Sequence, residues 1–253
     1  MPKPPSRPKA REAPVPAQPF EAAPQPRAFG TQLADLALPL DAALQPEAVD
    51  SLLSVCFDQS RAAVQLWSVA HRLDALVAIR QADGRITEAV NLHCGACRMP
   101  FEAELDLQAC RLPLSDAGVS FEAGGRILQA RLPTGAEQIR WQREATPVRS
   151  VAASLLDTAH DPDNETLAAL NRALAERDPL REISLRPACP ECGAVGEQTL
   201  DLEAHLVRCF AQQQRAWLDD IANLAEVYHW SEAEIAAMPA WRRTFYLQRL
   251  ETR

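Results

Sequence analysis

The sequence lacks several patterns that indicate common functions. No run of about 18 apolar residues appears, so we expect no membrane-spanning helix. Nothing near the amino terminus resembles the apolar core of a signal peptide, and the cysteines number seven, an odd count; both observations favour a reducing cytoplasm. A phosphate-binding glycine loop, a GxSxG elbow and an HExxH motif are all missing. We therefore expect a protein that is not an enzyme.

Basic residues are outnumbered by acidic ones. The chain has 26 lysines and arginines against 34 acidic residues, a formal net charge of −8, and residues 1–28 are themselves basic, so the remainder stands near −11. Affinity for nucleic-acid backbones depends largely on clustered Lys and Arg. The composition therefore opposes a general nucleic-acid-binding role.

Large apolar side chains are almost absent from residues 1–28, which hold nine of the 20 prolines and a single aromatic residue, Phe20. Such a segment cannot bury enough apolar surface to offset its ordering entropy. We predict a disordered Pro-rich tail over 1–28. A solvated leader and a docking tether for a partner are both consistent with this composition.

The remaining 225 of the 253 residues contain enough apolar side chains to form a core. Helical spacing of apolar residues predicts two packed helices after Pro46, helices near 136–143, 148–158 and 165–177, and a long helix from about Asp201 to His229. Alternating residues predict strands after each Cys-x-x-Cys pair and a hairpin turning at Gly124–Gly125. The expected fold is mainly α with a small β element (α+β). Its regions are 29–90 (N-terminal helices), 91–110 (first zinc knuckle and strand), 111–185 (inserted α+β unit), 186–202 (second knuckle and strand) and 203–253 (C-terminal helices).

Two Cys-x-x-Cys pairs are the strongest functional signal. Cys94 and Cys97 form the first pair, and Cys189 and Cys192 form the second after 91 intervening residues. A structural zinc site needs four ligands in a tetrahedron, which two such turns supply. Closing so long a loop costs about 4 to 5 kcal/mol, whereas structural zinc contributes about 10 to 16 kcal/mol at neutral pH. We predict one structural Zn²⁺ in a zinc-ribbon-like element.

Details of the two turns bear on this prediction. Glycine beside the ligands helps the chain to turn tightly, and Gly95 and Gly193 are both well placed. The first knuckle has Arg98 where a glycine commonly follows the second cysteine.

Three other interpretations of the pairs stay open. A redox pair stands at the start of a helix in a βαβ setting, whereas β-like residues follow both pairs here. Two unrelated pairs of free thiols are a second interpretation. A catalytic zinc needs an open coordination position, which would require His93 to displace a cysteine. The remaining Cys and His candidates are expected to pack rather than bind metal; they are Cys56, His71, Cys110, His205 and Cys209.

The carboxyl-terminal region combines helix signals with aromatic and basic residues. Ser231 and Glu234 form a capping-box pattern that predicts a new helix. A further helix should follow near Pro239, burying Trp241, Phe245, Tyr246 and Leu250 and exposing Arg242, Arg243 and Arg249, with Trp241 and Phe245 on one face. Arg242 and Arg243 lie off that face, and we predict that they meet a partner.

The whole pattern resembles one family, over roughly residues 45–252. The relevant stretches are His93–Cys97, 101–107 (FEAELDL), 131–136 (RLPTGA), Cys189–Gly193, 228–235 (YHWSEAEI) and 241–247 (WRRTFYL). They are similar to the baseplate hub assembly chaperones of T4-like contractile phage tails and bacterial contractile injection systems.

The resemblance implies a non-enzymatic assembly factor in the bacterial cytoplasm that acts on baseplate hub, spike or tube subunits of a phage-tail-like particle. It also implies a four-thiolate zinc site at Cys94, Cys97, Cys189 and Cys192. A zinc-ribbon nucleic-acid-binding or transcription-related protein is the alternative, and it would need a basic face.

Overall fold

The computed structural model describes residues 25–30, 36, 38, 45–111, 117–180 and 182–251. Within these ranges the strands pair as three separate two-stranded antiparallel sheets, and helices make up most of the remaining regular structure. The prediction of a mainly α fold with small β elements is confirmed. The elements are α1 (Gln45–Cys56), α2 (Arg61–Gln65), α3 (Val69–Ala82), β1 (Thr87–His93), β2 (Pro100–Asp106), β3 (Val119–Ala123), β4 (Arg126–Ala130), α4 (Gly135–Arg143), α5 (Val148–Leu155), α6 (Asn164–Arg177), β5 (Glu182–Leu185), β6 (Gln198–Asp201), α7 (Leu202–Tyr228), α8 (Glu232–Ala236) and α9 (Ala240–Glu251).

The N-terminal region forms three helices rather than the two expected from its apolar residues. The hydroxyl of Ser60 accepts a hydrogen bond from the Ala63 N–H and begins α2, and Ser68 begins α3 in the same way. Serine favours such caps because it satisfies an N–H that has no partner within the helix. Leu66 lies in the break between α2 and α3 and is exposed. The prediction that the apolar residues on both sides of it belong to a single helix is therefore wrong.

A buried ion pair between α1 and α3 lies directly under the start of α4. Arg72 of α3 is fully buried and donates from Nη1 to Asp50 Oδ1 at 2.5 Å and from Nη2 to the carbonyl of Pro46 at 2.9 Å. The guanidinium lies against the α carbon of Gly135, where any side chain would collide with it. The Gly135 N–H also donates to the carbonyl of Trp67. Gly135 therefore lets the start of α4 pack directly on the N-terminal helices.

The inserted region has a small core of its own. Val119, Ala130, Ala152, Leu155 and Leu170 bring together the β3–β4 hairpin, α5 and α6. The hairpin turns at the predicted glycine pair, where both residues have positive φ. The unit predicted over 111–185 differs from the structure at its edges, because α4 packs on α1–α3 and β5 pairs with β6 beside the second knuckle.

The long helix α7 belongs to two cores. Its first half contributes Leu206 and Phe210 to the main core, and its second half contributes Ile221 and Leu224 to a separate C-terminal core with α8 and α9. The predicted capping box of α8 is present. None of the described helices is long and apolar enough to cross a membrane.

A short segment ahead of α1 docks on the main core. The Arg27 N–H donates to the carbonyl of Cys56 at 2.7 Å, and the Arg27 side chain pairs with Asp58 at 2.9 Å. Phe29 is buried and meets Phe210 edge-on with ring centroids 5.2 Å apart. The predicted end of the Pro-rich tail at residue 28 is therefore wrong, because Arg27 already contacts the folded part of the chain. The rest of that prediction, over 1–24, lies outside the described residues.

Candidate metal centre

The four cysteines of the two pairs converge on one point. The sulfur atoms of Cys94, Cys97, Cys189 and Cys192 all lie within 4.8 Å of one another. The Cys94–Cys192 sulfurs are 3.6 Å apart, and the Cys97–Cys189 sulfurs are 3.7 Å apart. A regular tetrahedron with Zn–S bonds of about 2.3 Å has sulfurs about 3.8 Å apart. The observed spacing therefore suits a single four-coordinate metal ion.

The first pair lies in the loop of the β1–β2 hairpin. From the sequence we predict the strand after the pair, β2, but not the strand before it, β1. The register pairs His93 with Pro100, so the cysteines occupy the turn between the strands. Within the turn the Cys94 N–H donates to the carbonyl of Met99 at 3.0 Å, and the Arg98 N–H donates to the carbonyl of Cys94 at 2.9 Å. The strand β1, which is not predicted, runs from Thr87 to His93 and crosses the predicted boundary between regions 29–90 and 91–110, and its residues alternate between buried and exposed.

The second pair repeats this arrangement. The Cys189 N–H donates to the carbonyl of Ala194 at 2.9 Å, and the Gly193 N–H donates to the carbonyl of Cys189 at 2.9 Å. Gly193 has a φ of 73°, and Arg98, which holds the same position in the first turn, has a φ of 63°. Positive φ is thus required after the second cysteine of each pair. Gly95 does not have a positive φ. The backbone conformation at this position therefore does not require glycine, contrary to the expectation from the sequence.

The two hairpins meet at the cluster. The Gln198 side chain on β6 donates from Nε2 to the carbonyl of His93 at the end of β1, at 2.9 Å. Cys94 and Cys189 are buried, whereas Cys97 and Cys192 are exposed. Each turn therefore directs one sulfur inward and one outward, and the inner pair is shielded from water.

Electrostatics explain why a cation fits among these sulfurs. Hydrogen bonds from the backbone N–H groups of Cys97 and Ala96 lower the pKa of Cys94 to about 6. The Met99 N–H acts in the same direction on Cys97, but desolvation and the neighbouring sulfurs outweigh it and raise the pKa of Cys97 to about 12. Once one thiol ionises, the next resists because like charges repel. A metal cation at the centre would offset that repulsion.

The other candidate ligands lie apart from the cluster. Cys56 and His71 are buried in the helical core, as predicted. Cys110 is buried, and its sulfur lies 3.3 Å from the carbonyl of Asp106. The Cys209 sulfur and His205 Nε2 face each other on α7 at 3.5 Å, and burial raises the pKa of Cys209 to about 11. Among the described residues these side chains complete no second metal cluster.

The carboxyl-terminal arginines occupy different environments. Arg242 is exposed, whereas Arg243 is 9% exposed, so the prediction that Arg243 is free to meet a partner is wrong. Arg243 lines a cleft of about 930 Å³ with Asp220 of α7. Desolvation raises the pKa of Asp220, and the charge of Arg243 opposes that shift. Trp241 and Phe245, which were expected to be buried, are exposed.

Comparison with known proteins gives no assignment. No protein-family model matches the chain, and no match was found among curated proteins or solved structures. The four converging sulfurs suggest a bound metal ion on the strength of their geometry alone.

Proposed function

We propose that the metal is a structural Zn²⁺ bound by Cys94, Cys97, Cys189 and Cys192 in a zinc-ribbon-like element. Two hairpins that each present a Cys-x-x-Cys turn to a common point support this assignment. Four thiolates fill a tetrahedral zinc site and leave no position for a reactive water. The ion serves to hold the fold together, and catalysis at the metal is not part of its role.

The ion fastens the two ends of the inserted region. Cys97 and Cys189 are separated by 91 residues, and their sulfurs are 3.7 Å apart. The folded region between them shortens the effective loop, because the β3–β4 hairpin, α5 and α6 have a core of their own. A direct hydrogen bond between the hairpins, such as that from Gln198 to His93, contributes only about 1 kcal/mol, which is small beside the contribution of a structural zinc.

We infer that the protein as a whole is a non-enzymatic assembly factor, a chaperone for the baseplate or hub of a contractile phage tail or injection system. Three observations support this inference. The carboxyl-terminal sequence resembles that family, the four-sulfur site is closed, and α9 exposes two large aromatic residues. Its partners are hub, spike or tube subunits, and its place of action is the bacterial cytoplasm.

Metal analysis tests the zinc proposal. Purified full-length protein should contain one zinc per chain, and Cys189→Ser should lose most of it together with several kcal/mol of stability. Cys209→Ser is the matched control, because its sulfur lies outside the cluster, and it should keep its zinc. Full zinc content in Cys189→Ser would contradict the shared site.

Co-expression tests the assembly role. The protein is produced together with hub, spike and tube subunits of a contractile particle from the same bacterial source, and one of these subunits should co-purify with it. Deletion of its gene should reduce the yield of complete particles. Failure to capture any of the subunits, with unchanged particle yield, would reject the role.

The alternative is a nucleic-acid-binding zinc ribbon, which the paired hairpins also suit. The net charge of −8 opposes it. A salt titration with labelled duplex DNA separates the two functions, because a nucleic-acid-binding protein would show affinity that falls steeply as salt rises.

A further inference from the structure

The outward side of α9 carries two large aromatic side chains that lie outside the C-terminal core, although the Phe245 ring meets Tyr246 edge-on with centroids 5.6 Å apart. Trp241 is 70% exposed and Phe245 is 50% exposed. The C-terminal core draws on Tyr246, Leu247 and Leu250 instead. Successive residues of an α-helix are turned by about 100°, so residues 241, 245 and 249 follow one another along one side. At least half of each ring is therefore left open to solvent.

Arginines accompany both rings. The guanidinium carbon of Arg242 lies 5.5 Å from the centroid of the Trp241 ring, and that of Arg249 lies 5.9 Å from the centroid of the Phe245 ring. Both distances are within the range of cation–π attraction, about 6 Å. The contacts hold aromatic and positive groups together on one side of the helix. We call Trp241, Arg242, Phe245 and Arg249 the α9 surface.

The charge of this surface differs from that of the chain around it. Helix α9 contains three arginines and one glutamate, whereas the whole chain has a net charge of −8. Exposed Trp and Arg side chains that lie together are typical of the residues that dominate protein–protein binding energy. The negative charge of the rest of the chain would repel the phosphate groups of a nucleic acid that approached this surface.

We propose that the α9 surface binds an acidic amphipathic segment of a partner protein. Apolar side chains of the segment cover Trp241 and Phe245, and its carboxylates pair with Arg242 and Arg249. The stripe from residue 241 to residue 249 is about 12 Å long, which matches about two turns of a helix. This proposal rests on the assembly-factor function and adds the surface and the chemistry of the partner.

A synthetic probe tests the surface without a known partner. The probe is a labelled peptide of about 14 residues with leucines at every third or fourth position and glutamates between them. Its binding to the zinc-loaded full chain is measured by fluorescence anisotropy at low and moderate salt. A second peptide replaces each glutamate with lysine, and labelled duplex DNA is the third probe.

Two variants and a control define the expected result. Arg242→Glu with Arg249→Glu, and separately Trp241→Ala, should each weaken binding of the acidic peptide by about tenfold or more. The control, Arg126→Glu with Arg172→Glu, makes the same charge change at exposed positions elsewhere and should alter affinity less than about threefold. Higher salt should weaken binding to the wild-type chain.

Several results would overturn the proposal. They are no binding of the acidic peptide, equal binding of the lysine peptide, unchanged affinity in both surface variants, or binding of DNA alone. The outcome is separable from the co-expression test. If hub, spike and tube subunits are not captured but the acidic peptide binds as described, the assembly role fails and the assignment of the surface stands.

Discussion

Replacing Gly135 with alanine should destabilise this protein far more than an ordinary Gly→Ala exchange. An added Cβ would lie 2.5 Å from Cζ of Arg72 and closer still to Nη1. The guanidinium is fully buried and bonded to Asp50 and to the carbonyl of Pro46, so it cannot move aside without losing those partners. Overpacking costs about 1 to 3 kcal/mol, and breaking a buried ion pair costs about 3 to 5 kcal/mol. We expect a loss of about 2 to 4 kcal/mol.

The measurement is urea unfolding of zinc-saturated protein followed by circular dichroism. Gly196→Ala is the matched control, because no heavy atom lies within 4 Å of its added Cβ and its φ is not positive. That change should stay within about 0.5 kcal/mol of wild type or stabilise slightly. If Gly135→Ala loses less than about 0.5 kcal/mol, the packing of α4 against Arg72 described above is incorrect.

Three further predictions concern the knuckles, the amino terminus and a buried carboxyl group. Gly193→Ala should cost about 1 kcal/mol or more because of its positive φ, whereas Arg98→Gly should raise stability by up to about 1 kcal/mol, both measured by urea unfolding with zinc present; equal effects would contradict the conformational reason. Deleting residues 1–24 should leave the melting temperature nearly unchanged, but deleting 1–30 also removes the buried ring of Phe29 and should cost about 3 kcal/mol; equal melting temperatures would refute the docking of this segment. Burial raises the pKa of Glu203, so this group favours the folded state at low pH and that contribution is lost as pH rises above its unfolded pKa of about 4.3. Glu203→Gln should therefore gain stability relative to wild type on going from pH 5 to pH 7, as measured by unfolding at both values, and an opposite trend would exclude this linkage.

Local patterns predicted the parts of the fold that depend on neighbouring residues. The serine and glutamate three residues apart form the capping box of α8, and the adjacent glycines turn the β3–β4 hairpin. The spacing within each Cys-x-x-Cys pair identified the candidate ligands. Each of these signals lies within four residues of chain, so no distant contact is needed to interpret it. The strand ahead of the first knuckle carries a similar local signal in its alternating residues, but no strand is predicted there from the sequence.

Tertiary structure decided which side of each element is buried and which distant residues meet. The sequence of α9 has apolar or aromatic residues on both sides. Packing against the C-terminal core partly buries Tyr246 and Leu250 and leaves Trp241 and Phe245 exposed. The pairing of Arg72 with Asp50 beneath Gly135 joins three segments that no periodicity connects. Composition and spacing along the sequence thus determined the types of elements and the ligand chemistry. The tertiary structure alone determined which side chains are exposed, because the burial of a helix face depends on which other element packs against it.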